Sequence, residues 1–323
     1  MLSGPTFTDD APSDRLAWVR EHTTALGRVP LPGSGSTVSR LRTLATLAMA
    51  DGSLARLAEG HLDAAAIRLE LGAAAVCDTV LEAVWAARPE QLHAVRRREG
   101  WRLHGDKPWC SGARGVDRAL VTAIDEDGRA RLFQVAVDRV TFADDWHPLG
   151  MRASDSRTAS IDMVVCATDE IGEPGSYVGR PGFWHGGVGV AACWHGLAQR
   201  LAADVAAQAS RRDDPYLDAA RGALGAEIAA TTALLASAGR QIDDDPHDLV
   251  SARRRAQVVR LAVARTSRRV LEMSTAVGGA GPLCFDRSHQ RAVADLTVYL
   301  GQAHEGHDAA TVEVPPGDVW WTS

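Results

Sequence analysis

The 323-residue sequence has one lysine, Lys107, against 34 arginines. A GC-rich coding sequence produces such a bias, so by itself it carries no functional message. Cysteine is scarce and scattered: Cys77, Cys110, Cys166, Cys193 and Cys284 form no CxxC pair. That excludes a zinc-ribbon arrangement. Their number is odd, and residues 1–14 are polar and acidic instead of basic and then apolar. The expectation is a reduced, cytoplasmic protein. No uncharged apolar run approaches ~18 residues, so no membrane span is expected. Positive charge is not in excess either. The net charge is −6 and the pI about 6.0, which argues against a general nucleic-acid binder.

What is present is the composition of a globular protein, 46% hydrophobic and 24% charged, with length enough for a sizeable core in one large domain or two. Three textures follow one another. Leu41, Leu44, Leu47 and Ala48, then Leu54, Leu57, Ala58 and Leu62, recur at helical spacing. The Pro30–Ser36 loop precedes them, and Thr37 fits as the N-cap of the helix it opens. From about Val80 to Tyr177 the pattern shortens. Trp101–Gly105 and Thr158–Val165 alternate, while Ala119–Ala123 and Leu132–Val137 flank an Asp-rich turn as hairpin mates. Such spacing predicts a small β-barrel or sandwich. From Pro181 helices return over 182–212, 216–242, 249–277 and 288–303. The fold class expected is α+β and multi-domain. N-terminal helices occupy 1–79, a central β-barrel 80–180 and a C-terminal four-helix bundle 181–323.

Several short segments could carry chemistry. In Asp106–Ala113 (DKPWCSGA), Trp109 offers a flat stacking surface, and Ser111 with nearby amides offers hydrogen-bond donors. The set suits either a planar heteroaromatic cofactor or a Trp buried in a β core. Cys110 as a nucleophile would need a base, and none stands near it in sequence. Gly278, Gly279 and Gly281 suit a helix stop, or a turn that lets backbone N–H groups approach phosphate. The run Gly186–Val190 follows no strand, which excludes a Rossmann fingerprint. His304–Asp308 (HEGHD) reads as a solvated helix end, a metal ligand pair or a base. His185 and His195 lie on an apolar helix. No metal site is expected.

Three ordered motifs resemble the acyl-CoA dehydrogenase superfamily over about Gly100–Asp308. Trp101–Ala123 is similar to its G-x-K-x-W-I/C-T/S strand pair, Leu149–Val165 to its LGxRxSxT signature, and Gly278–Leu296 to its GGxG turn and following helix. The resemblance implies helices, a β-barrel and a four-helix bundle in that order. It implies FAD against Trp109, Cys110, Ser111 and Gly112, with the Ser111 hydroxyl near flavin N5. Arg152 and Ser154 would lie close to the cofactor and acyl pocket. Gly278, Gly279 and Gly281 would touch the flavin of a neighbouring subunit. A shared site implies a homodimer or homotetramer.

The activity expected first is α,β-dehydrogenation of an acyl-CoA or related small molecule. Glu305 would be the base, His185 a weak substitute, and an electron-transfer flavoprotein the acceptor. Two alternatives stand beside it. One is a flavin-dependent monooxygenase served by a flavin reductase. The other is a non-catalytic subunit in a heteromer with a paralogue. The chain also departs from the superfamily: its N-terminal region is shorter, and the T-E-x-x-x-G-S-D and RxxFG segments are replaced by Ala83–Pro89 and Arg211–Pro215.

Overall fold

A computed structural model describes residues 2, 4–75, 77–211 and 213–312. The chain opens with α1 (Pro12–Glu21), the single turn α2 (Thr23–Leu26), α3 (Thr37–Ala50) and α4 (Gly52–Glu70). Asp51 separates α3 from α4 and starts the second of them: its carboxylate accepts the Leu54 N–H at 2.8 Å. The same carboxylate takes Arg15 of α1 at 2.9 Å, with both side chains buried. One cap thus holds three helices together.

Seven strands follow: β1 (Glu82–Trp85), β2 (Leu92–Arg97), β3 (Gly100–Cys110), β4 (Arg118–Asp125), β5 (Ala130–Ala136), β6 (Thr141–Phe142) and β7 (Arg157–Cys166). They form one sheet in the order β1-β4-β2-β3-β7-β6, with β5 on the far side of β4. The β4–β5 hairpin expected from the Asp-rich turn is present, Val121 facing Phe133. In β7 burial alternates along the whole strand, as expected for a ladder with one face on the core. The sheet curls but is not a barrel closed by a ladder. Its far edges meet through the bridge of Phe133 with Glu170 and the Ile171 N–H donated to Leu132 O at 2.8 Å. Pairing is that thin because β7 ends at Cys166, and only the turn beyond it reaches β5.

The last block contains α5 (Pro181–Ala209), α6 (Pro215–Asp244), α7 (Leu249–Gly278), α8 (Ala280–Phe285), α9 (Arg287–Tyr299) and α10 (Glu305–Thr311). α5 is the central helix. It buries Val188, Ala192, Trp194, Leu197, Leu201 and Val205 and packs on α3, α4, α6, α7 and α9. Its glycines serve packing. A Cβ at Gly196 would lie 2.1 Å from the Ala45 carbonyl oxygen, so α3 and α5 touch backbone to backbone there. α6 is the one described helix long and apolar enough, by length and composition, to cross a membrane, although it is not the uncharged run whose absence was noted in the sequence. Scattered charges, among them Glu227 and Arg240, interrupt the sequence that the expectation was read from. Its contacts with α3, α5 and α7 are those of a bundle helix. One large apolar cluster runs through helices and sheet alike, from Leu44 through Trp85 and Leu103 to Trp194 and Leu296.

The start of α3 departs from the expected cap. Thr37 is the first helical residue, and the capping group comes from the end of α6. The Asp243 carboxylate accepts the Gly35 and Thr37 N–H groups at 3.0 and 2.8 Å. It also accepts the Thr37 hydroxyl at 2.5 Å. A cap borrowed from 206 residues away ties the N-terminal helices to the bundle. Asp243→Ala is therefore expected to cost about 1–2 kcal/mol in urea unfolding. An unchanged midpoint would show that the cap does not hold this junction.

Candidate functional site

The site begins where β3 breaks. Pro108 has no N–H to give the ladder, and the β3–β7 register shifts between Lys107 and Cys110. Such a bulge re-aims the side chains beside it. Trp109 is left with φ +64° and its indole 57% exposed, edge-on to Trp146 at 6.2 Å between ring centroids. A non-glycine residue in this conformation costs about 1–2 kcal/mol and persists only where its surroundings enforce it. Those surroundings are firm. Beneath the bulge the Lys107 ammonium is wholly buried and donates to the Thr122 carbonyl and hydroxyl oxygens, both at 2.8 Å. Burial pulls its pKa down to about 8.

The next residues are clasped to the turn before β7. Gly112 N–H donates to Ser154 O at 2.7 Å and Ala113 N–H to Asp155 O at 3.1 Å. Gly112 needs its φ of +75°, and a Cβ there would press on Val116 and Leu57. The Asp155 carboxylate, itself buried, takes Arg114 at 3.0 and 3.2 Å and Arg157 at 2.7 Å. This clasp lines up three serine hydroxyls. Ser111 Oγ is 2.8 Å from Ser156 Oγ, which is 2.9 Å from Ser154 Oγ. Ser154 donates to Met151 O at 2.8 Å. From α9, the buried Asp295 carboxylate accepts the Met151 N–H at 2.6 Å and anchors the far end of the row.

α4 closes the other side. Arg56 Nε donates to Ser111 Oγ at 3.3 Å, and the guanidinium pairs with buried Glu59 one turn on. Burial, reinforced by nearby Asp63, pushes the Glu59 carboxyl up to about 8. Between α4 and the sheet lies a cavity of about 10 Å³ lined by Arg56, Leu57, Gly60, Ala83, Val84, Ser111 and Val116. On the other side of Val116 is a groove of about 520 Å³, of the size that small ligands occupy. Its walls include Val137, Val140 and Phe142, with Arg114, Asp117 and Asp138 among its polar groups.

The structure therefore gathers Trp109, Ser111, Gly112 and Ser154 in one place. Arg152 is beside them: its carbonyl accepts the Trp146 indole N–H at 3.0 Å, and its side chain is exposed. Cys110 points the other way. It is buried, donates to Lys107 O at 3.1 Å, and burial raises its pKa to about 12. Gly278, Gly279 and Gly281 are not brought to this place within one chain. They form the α7–α8 junction, where a Cβ on Gly278 would meet Gln208. Gln208 lies about 22 Å of helix beyond Cys193, the α5 residue whose charge environment includes Glu59. Glu305 opens α10 with its carboxylate on Arg268 of α7. His185 is buried on α5, with Nε2 3.0 Å from Pro246 O and its pKa lowered by burial. His195 is held by Thr231 and Thr232. Arg56, Glu59 and Ser156 were missed in the sequence. Ser156 could have been noted as a second hydroxyl two residues from Ser154, but the left-handed Asp155 between them, on which their approach depends, leaves no signal in the sequence. Nothing near Arg56 or Glu59 marked them.

No family model matches the chain. A dibenzothiophene monooxygenase of Rhodococcus erythropolis is 33% identical over 87 residues, 24% of this chain and 21% of that protein. A probable FMNH2-dependent monooxygenase of Pseudomonas putida, SfnC, is 28% identical over 82 residues, with the same shares. The chain thus matches about a fifth of the length of these curated relatives. The crystal structure of the dibenzothiophene monooxygenase TdsC from Paenibacillus sp. A11-2 superposes with a TM-score of 0.81 at 18% identity, covering 94% of this chain and 89% of that one. Structures of TdsC include FMN-bound and indole-bound forms. The fold is thus the one TdsC adopts, a curled sheet set among helices. These similarities overturn the expectation of acyl-thioester dehydrogenation, because the curated relatives matched in sequence, and TdsC in structure, are named monooxygenases. With it goes the assignment of Glu305 as its base.

Asp295 provides a check on the anchored turn. Burial, with the Asp51 charge adding to it, raises its pKa from 3.8 to about 7. Between those values the folded chain holds a proton that the unfolded chain has released, so this group's contribution to stability falls as pH rises. Asp295→Asn is expected to remove that part of the slope. The gap in unfolding free energy between variant and parent should shift in the variant's favour from about pH 4 to pH 7. A gap independent of pH would show that Asp295 does not titrate there.

Proposed function

We propose that the chain is a flavin-dependent monooxygenase that takes up a reduced flavin, FMN or FAD, delivered by a separate flavin reductase. When bound, the flavin supplies two electrons with which molecular oxygen is split: one oxygen atom enters a small aromatic or heteroaromatic substrate and the other leaves as water. The observation that carries this reading is the exposed, strained Trp109 beside the row Ser111–Ser156–Ser154, in a fold that TdsC shares over 94% of the chain. The residues fit the group. Trp109 supplies a face for a planar ring, and Ser111 supplies a polar atom at its edge. The exposed Arg152 guanidinium suits a phosphate.

The groove beside Val116, with Val137, Val140 and Phe142 on its walls and Arg114, Asp117 and Asp138 among its polar groups, gives a small aromatic substrate an apolar wall and polar partners. Neither Glu305, tied to Arg268, nor Cys110, buried and protonated, is needed for this chemistry. The Gly278–Gly281 turn is remote from Trp109 in its own chain, so we assign it to the flavin of a second copy. That makes the working form a homodimer or homotetramer.

The test is an oxygen-incorporation assay with purified protein, a flavin reductase, NADH, FMN or FAD, and indole and dibenzothiophene as probe substrates. The expected result is product carrying one atom of labelled oxygen from the gas. Failure to bind either flavin in either redox state would overturn the proposal. Trp109→Ala is expected to weaken flavin binding about tenfold, the loss of one stacked ring, as read by fluorescence titration.

A further inference from the structure

On the face of the sheet turned away from the apolar core, β2 and β3 bring two histidines together. His93 and His104 are direct partners in the antiparallel ladder, so their side chains leave the same face. His93 is exposed and His104 half-buried. Their ring centroids lie 5.4 Å apart, with the ring planes tilted by 33°. The backbone beneath them is fixed. The ladder runs unbroken from Leu92 opposite Gly105 to Arg97 opposite Gly100. Next to His104, Gly105 has φ +131°, and a Cβ there would lie 2.4 Å from the Gln91 carbonyl oxygen. The two strands are in close contact at that end, which holds the imidazoles together. Across β3, Asp162 of β7 stands opposite His104. Its carboxylate holds Arg102 at 2.9 and 3.0 Å. An acid thus flanks the pair, and the guanidinium two residues from His104 is already matched.

A neutral imidazole is a ligand for Zn²⁺, Ni²⁺ and Cu²⁺, whereas Mg²⁺ and Ca²⁺ prefer oxygen. An ion bound by two imidazole nitrogens at about 2.1 Å each holds the ring centroids about 5 Å apart. That is close to the spacing present here. No group of three or more His, Cys, Asp or Glu side chains is placed to hold a metal among the described residues, so water fills the rest of the coordination sphere. We propose that His93 and His104 form a binding site for a divalent transition-metal ion, Ni²⁺ or Zn²⁺, which bridges β2 to β3. The site uses none of the residues assigned to flavin or substrate and stands independently of the function proposed above. A bound ion stabilises the folded sheet, because the unfolded chain does not hold the two rings together.

The experiment is a calorimetric titration of Ni²⁺ into the tag-free, EDTA-treated full chain, alongside His93→Ala, His104→Ala and His304→Ala. Ni²⁺ is the probe because the exposed Cys77, Cys166 and Cys284 compete better for softer ions. His304→Ala controls for the other close pair in the sequence, His304 and His307. The parent is expected to bind one Ni²⁺ per chain with micromolar affinity. His93→Ala and His104→Ala should each weaken binding about tenfold or more, because a chelate becomes a single ligand. His304→Ala should bind as the parent does. Saturating Ni²⁺ should raise the urea midpoint of the parent and leave those of His93→Ala and His104→Ala where they are without metal. Those metal-free midpoints also check that both variants fold. No binding in the parent, unchanged affinity in His93→Ala and His104→Ala, or a loss in His304→Ala instead overturns the site. A parent midpoint that Ni²⁺ does not move overturns the bridge between the strands.

Discussion

The site depends on two backbone hydrogen bonds, from Gly112 and Ala113 to the carbonyls of Ser154 and Asp155. They join the strand carrying Trp109 to a turn some forty residues on. Without them the register shift in β3 would be a local irregularity with nothing to oppose it. With them, Trp109 is held out, Ser111 is held in, and the hydroxyls of two separate segments meet at hydrogen-bonding distance. The Asp155 carboxylate, shared by Arg114 and Arg157, keeps the turn from relaxing. The turn is unusual in itself, with left-handed backbone at both Met151 and Asp155. Backbone strain of this kind gathers where geometry serves a site.

Arginine–carboxylate pairs give the arginine-rich composition its structural meaning. Arg20 reaches from α1 to Asp117 beside β4, Arg68 from α4 to Glu82 of β1, and Arg180 from before α5 back to Glu70. Each joins elements distant in the chain. Neither the exposed Arg20–Asp117 pair, which solvent screens, nor the buried Arg68–Glu82 pair, whose desolvation offsets most of its attraction, contributes much net stability. Their planar, forked geometry makes them better at fixing one arrangement among several. In this chain they lie along the seams between helices and sheet, the surfaces on which the candidate site is built.

Much of this was legible in the sequence. Periodicity located the helices of the bundle and the β4–β5 hairpin, because those signals are local. The Trp109–Ser111 segment stood out for its residue types, and Ser154 through resemblance. What was not legible is what depends on distant partners. The Asp243 cap, the Arg56–Glu59 pair and the Ser111–Ser156 contact are each made by residues whose own neighbourhoods are unremarkable. The sheet's closure was also overdrawn, since alternation marks strands but not whether the last edge finds a ladder. The activity was misjudged for a related reason. Barrel and bundle motifs reflect the scaffold, and Glu305 was assigned a role by its sequence neighbours, while its carboxylate is engaged by Arg268.

Lys107 has a use apart from any chemistry at the site. It is the only lysine in the chain, and it lies fully buried under the bulge that sets Trp109. An amine-directed reagent meets no accessible lysine side chain while the sheet is intact and one when the sheet opens. The rate at which Lys107 becomes acylated therefore counts the opening of this one region. The molecule carries a single-site clock for the stability of its own candidate site, with no label to be introduced.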